Sequence, residues 1–223
     1  MNNTTWKTIA GGIITAIFIY SISSFLSIFT GAVAAMVQAA SDVARSAGGD
    51  VSGLGFWTAL DWICKLIVIG GYVMFFMNIT KLAEAQITET EKNSMMTVRL
   101  GYILMVAQAI ASMIPGVNAY GIIPCVISIF AYIKLLEGYK NLEAAETFST
   151  TCRIGWGHLR HSIGMNIIAA LITLPAQIML ESESAMVILG MLLYLISGIL
   201  AVIAFTRMIA GWHIVKISGP YED

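Results

Sequence analysis

Asp61 and Lys65 stand four residues apart inside an apolar stretch, a spacing that puts an acid and a base on one face of a helix. In hydrocarbon each charge alone is costly, so an acid–base pair at membrane depth is by default a functional site. The alternative is an ordinary i,i+4 pair at headgroup depth, worth about a few tenths of a kcal/mol. The nearby Trp57 and Trp62, residue types that gather at membrane interfaces, favour that alternative. Gln108 and Asn166 also lie inside apolar stretches. A carboxamide there either hydrogen-bonds across to another helix or lines a polar path. A small-solute channel or transporter requires Asp61, Lys65, Gln108 and Asn166 to face one cavity.

Other chemistry is sparse. His158, His161 and His213 have no metal-binding spacing with acidic or cysteine neighbours, so no metal and no cofactor is expected. Cys64, Cys125 and Cys152 are isolated and odd in number, which reads as free thiols. Neither a Gly-x-Ser-x-Gly elbow nor a phosphate loop occurs. Arg153 and His158 have the Arg-x4-His spacing seen in HEPN-type ribonucleases. The likeness is two residues long and nothing around it resembles that helical domain, so catalysis is not expected. The second candidate is a surface. Lys134, Tyr139, Lys140, Arg207, Trp212 and His213 fall at two similar helix ends, where they read as a docking surface for a soluble partner or a lipid headgroup. The plainer alternative is a pair of helix ends anchored in the interface by aromatics and cations.

The elements that position these residues follow from composition. The 223 residues are 58% hydrophobic and 11% charged, with a mean hydropathy of +0.82. A soluble domain carries about a quarter charged residues, so the solvent for this chain is lipid. A net charge of −1 offers no basic stripe for nucleic acid. Six apolar segments are evident, at about 9–36, 56–82, 100–114, 120–136, 163–180 and 185–209. Spanning a hydrocarbon core about 30 Å thick takes about 20 residues. The three middle segments reach that length only with their polar ends among headgroups, which leaves five or four spans as fallbacks. The first segment is too long for the apolar core of a signal peptide and reads as a retained span. Residues 38–54, polar and glycine-rich, form an extracytoplasmic connection whose first part continues the helix. With the N-terminus inside, ten Lys and Arg side chains are cytoplasmic and only Arg45 and Lys65 lie toward the other face. That bias predicts N-in, C-in and an even number of spans.

A block repeats along the chain. Phe130–Ala145 has echoes at Tyr72–Ala85 and Phe205–Lys216, in which Tyr132 matches Tyr72 and Phe205, Gly138 matches Gly211, and Tyr139 matches Trp212. The odd spans also open alike, with Lys7 before Gly11, Arg99 before Gly101 and Arg160 before Gly164. The expected fold is an all-α polytopic bundle, one transmembrane domain built of three hairpins at about 1–85, 86–145 and 146–223. The layout, with its Gly138-Tyr139-Lys140-Asn141-Leu142 block, resembles small uncharacterised prokaryotic multi-pass membrane proteins and implies no substrate. Mitochondrial carriers also have three two-helix repeats, but their Pro-x-acidic-x-x-basic signature is missing. The expectation is a non-catalytic multi-pass protein of a prokaryotic inner membrane, a subunit, scaffold or accessory module. Its partners are the bilayer and either a protein at the cytoplasmic face or a second copy of itself, with no nucleic acid. The alternative is a small-solute channel or transporter.

Overall fold

The computed structural model of the chain describes residues 3–46, 54–86, 88–114, 122–180 and 186–219. Among them lie six helices and no strand: α1 (Asn3–Ser46), α2 (Leu54–Glu84), α3 (Glu89–Met113), α4 (Ile122–Ala144), α5 (Thr150–Leu180) and α6 (Met186–Ser218). Five are long and apolar enough to cross a membrane; α4 is not among them. The expectation of six spans is reduced at this point, because α4 carries Lys134, Glu137, Lys140 and Glu143 through its second half. α3 begins at Glu89, eleven positions before its apolar run, so a short apolar segment became a full-length helix. α1 continues to Ser46, where the Gln38 carboxamide donates to Asp42 one turn on. The rest of the polar connection, with Gly48 and Gly49, lies outside the described residues, as do the turns 115–119 and 181–184 expected from the sequence.

Two helix starts are set by local chemistry. Thr88 caps α3: its hydroxyl accepts from the Glu91 backbone N–H at 3.2 Å, and the Thr88 backbone N–H donates to the Glu91 carboxylate at 3.4 Å. This reciprocal pair satisfies backbone donors that a helix start otherwise leaves open. Ser149 does the same work before α5, accepting from the Cys152 N–H at 3.2 Å.

Each helix packs on its chain neighbours, and α1 closes on α6, so the six form a ring. The tightest seams are α1–α2, α3–α4 and α5–α6. Within these three seams the helices run antiparallel, as the paired contacts Gly12–Asn78 with Gly71–Tyr20, Gly138–Ser94 with Gly101–Ala131, and Gly211–Leu159 with Gly155–Val215 show. Glycine makes all three of these seams close, and in α1–α2 a Cβ on Gly71 would stand 2.8 Å from Tyr20 Cβ and 3.0 Å from Tyr20 N. A Cβ on Gly138 would stand 2.5 Å from Val98 Cγ2 and 3.0 Å from the Ser94 oxygen. One on Gly211 would meet Leu159 Cγ at 2.8 Å and the Gly155 oxygen at 2.9 Å. In lipid, small residues of this kind let backbones approach and gain dispersion contact. The perimeter is apolar: Phe25, Leu66, Phe130, Leu171, Leu195 and Val202 are all more than half exposed.

Buried residues concentrate at one end of the ring, in the first halves of α1, α3 and α5 and the second halves of α2, α4 and α6. This end is termed the sealed end and the other the open end.

Candidate functional site

At the sealed end every helix contributes one ring to the centre: Trp6, Phe75, Tyr102, Tyr139, Trp156 and Trp212, none more than 2% exposed. The rings form one connected set. Phe75 stacks on Tyr102 at 3.8 Å between centroids and meets Trp212 edge-on at 5.8 Å. Trp212 meets Trp156 edge-on at 5.5 Å, and Trp156 leads through Phe148 to Trp6. Such pairs contribute about 0.5–1.5 kcal/mol each beyond the area they bury. The ring closes through the Trp6 indole N–H, which donates to the Val215 carbonyl at 2.7 Å. The Tyr102 and Tyr139 hydroxyls meet at 3.3 Å.

This arrangement corrects the docking surface read from the sequence. Tyr139 and Trp212 are 0% exposed, so both belong to the core and neither can meet a partner. The reason is helical spacing. Tyr139 lies four residues after Leu135 and Trp212 four after Met208, on the stripe that faces the ring's interior. The cations of the same blocks do point outward. Lys140, Arg207 and His213 are exposed, and Lys134 reaches Glu137 at 2.8 Å.

A second cluster lies near the sealed end. Glu143 of α4 pairs with Arg160 of α5 at 2.9 Å, while its backbone carbonyl accepts from Arg153 Nε at 2.9 Å. Gly157 makes room for this carboxylate, since a Cβ there would stand 2.9 Å from Glu143 Oε1. Glu143 and Gly157 line a hollow of about 270 Å³ together with Ile154, His158, His161 and Arg207. His158 lines this hollow, whereas Arg153 is occupied in joining α5 to the end of α4. The signal that could have found the cluster is the density of Arg and His in Arg153–His161.

The four polar residues expected to share one cavity fall in two places. Asp61 (8% exposed) is held at the open end of the α1–α2 seam. It accepts from Ser27 Oγ at 2.7 Å and Thr30 Oγ1 at 3.4 Å, and pairs with Lys65 at 2.7 Å. Its acceptor sites are answered by α1 and by its own helix, so the group works as an interhelix fastening. Ser27 and Thr30 were missed because lone hydroxyls in an apolar run carry no signal until a partner helix is known.

Gln108 and Asn166 do share a cavity. With Ser128, Tyr132, Thr173 and Ser197 they line an open-end cleft of about 350 Å³ among α3, α4, α5 and α6. Its hydroxyls are largely spent locally: Ser128 donates to Pro124 O, Thr173 and Ser197 both reach Ala169 O, and Thr173 meets Ser197 at 2.6 Å. Cys125 is half-buried at the same cleft, whereas Cys64 and Cys152 are buried. Among the described residues no three His, Cys, Asp or Glu side chains stand where they could hold a metal ion.

No family model, no curated protein and no solved structure matches this chain.

Proposed function

We propose that the chain is a non-catalytic integral membrane protein serving as a subunit, scaffold or accessory module of a membrane complex. The observation that carries this reading is the aromatic centre. Six buried rings, one per helix, make a solid floor where a conduit would need an opening. The acid–base pair that could have served transport is consumed in joining α1 to α2.

The reading includes six spans arranged as three copies of one hairpin. α4 supports a sixth span because it occupies the ring position between α3 and α5, with its charges gathered toward the sealed end. Duplication is supported by the register of the last two hairpins. Ser94 and Val98 stand to Gly138 as Gly155 and Leu159 stand to Gly211. Gly101 lies against Ala131, and in the corresponding place Ser162 donates to the Ala204 carbonyl at 2.6 Å. The caps Thr88 and Ser149 are matched by the same offset. Ser162 is thus the counterpart of Gly101, and the Gly164 chosen from the sequence has open space about it.

Lys7, Lys81, Lys92, Lys140, Arg153, Arg160 and Lys216 lie toward the sealed end, and Lys65 toward the open one. That asymmetry supports N-in and C-in, with the sealed end in the cytoplasm of a prokaryotic cell. A partner arriving there meets Lys140, Arg207 and His213, so it presents acidic side chains or anionic headgroups.

Purification in mild detergent with mass determination of everything retained tests this function. A stoichiometric protein partner, lost on charge reversal of Lys140 and Arg207, is the expected result. A lone oligomer that passes small solutes when reconstituted would overturn it. The cleft that unites Gln108 and Asn166 is the observation favouring the second reading, a channel or transporter, which the same reconstitution decides.

A further inference from the structure

We propose that the open-end cleft is a binding site for an uncharged, hydroxyl-bearing molecule, a role beyond that of a scaffold. Gln108 of α3, Tyr132 of α4 and Asn166 of α5 all line it, and all three are half-buried. None of the three makes a hydrogen bond among the described residues, in contrast to the serines and threonine beside them, which bond to carbonyls or to one another. In a helix bundle, side-chain amides and hydroxyls of this kind commonly bond across to a neighbouring helix. Three of them, from three helices, converge on one hollow.

The chemistry of the lining selects the occupant. Every side chain at the cleft is uncharged at neutral pH, so a charged ligand would surrender its hydration with no countercharge to meet it. A carboxamide both donates and accepts, as does a phenol. A hydroxyl also does both and can answer either; an ether or ester only accepts and leaves the amide oxygens open. At about 350 Å³ the cleft holds on the order of ten waters' volume, enough for a small polyol. The hydroxyl group arrives either on a free polyol from water or on the headgroup of a neutral lipid.

Cys125 reports on this site in the native chain, with the buried Cys64 and Cys152 as internal references. The experiment follows N-ethylmaleimide labelling of Cys125 by peptide mass spectrometry. One arm adds myo-inositol to the purified chain in detergent micelles. The other compares phosphatidylcholine vesicles with and without monoolein, and glycerol 3-phosphate serves as the charged control. We expect one arm to slow labelling saturably, about tenfold at ten times the half-maximal concentration, with glycerol 3-phosphate inactive. Protection by inositol identifies a free polyol, and protection by monoolein alone identifies a lipid headgroup. The double variant Gln108→Leu/Asn166→Leu should melt no lower than the native chain and lose protection. The proposal is overturned if neither arm protects, if glycerol 3-phosphate protects equally, or if protection survives the double variant. A double variant that melts lower overturns it too, because the amides would then be holding helices together.

Discussion

At the sealed end six rings, one from each helix, fill the centre of the ring; at the open end four of the same helices part around a cleft of about 350 Å³. The helices are shared, so the difference lies in what each half places at its seams. The close glycine contacts of α3–α4 and α5–α6, at Gly101, Gly138, Gly155 and Gly211, all fall toward the sealed end. There they draw backbones together and leave the interior to large aromatic side chains. At the open end the cleft is lined by side chains of middle size, many of them hydroxyls that bond within the bundle. Polar residues in a bundle are therefore not one class. Asp61 is answered by Ser27, Thr30 and Lys65, while Gln108, Tyr132 and Asn166 line the cleft without a hydrogen bond among the described residues.

Five substitutions break or sharpen this contrast. Removing a ring from the sealed end, as in Trp156→Ala, should cost about 3–5 kcal/mol, read as a large drop in melting temperature in detergent. Asp61→Ala leaves Lys65 and Ser27 unanswered and should cost about 2 kcal/mol by the same measurement, in line with hydrogen bonds to charged groups. Gly211→Ala should cost about 1–3 kcal/mol through overpacking, since its Cβ would press on the Gly155 backbone and on Leu159. Gly164→Ala, with nothing within 4 Å, should be neutral or slightly stabilising. Gln108→Leu, at the open end, should change stability by no more than about 0.5 kcal/mol. A large loss on Gln108→Leu would erase the distinction between the two ends.

The apolar helices and their antiparallel hairpins were legible because hydropathy and Lys/Arg placement act along the chain and need no partner. Gly138 and Gly211 could be paired by type in the sequence, but that both stand at close seams was not legible there. The direction in which Tyr139 and Trp212 point was not. Their periodicity marked an apolar stripe, but a stripe in a membrane helix faces lipid or neighbours equally well. Only the ring, with small residues on the facing helices, turns it inward. The fate of Asp61 depended on Ser27 and Thr30 of another helix, more than thirty positions away and without any motif. Glu143 likewise acquires its partners only when α5 is laid against the end of α4. What sequence reading misses here is consistently the second partner of a polar group.

The claim that the aromatic centre closes the bundle is tested most directly by stopped-flow light scattering of proteoliposomes challenged with glycerol. A closed bundle predicts swelling no faster than in protein-free vesicles of the same lipid, across a range of protein densities. Swelling that accelerates in proportion to protein content would contradict the account and put a path through the ring where we place a floor.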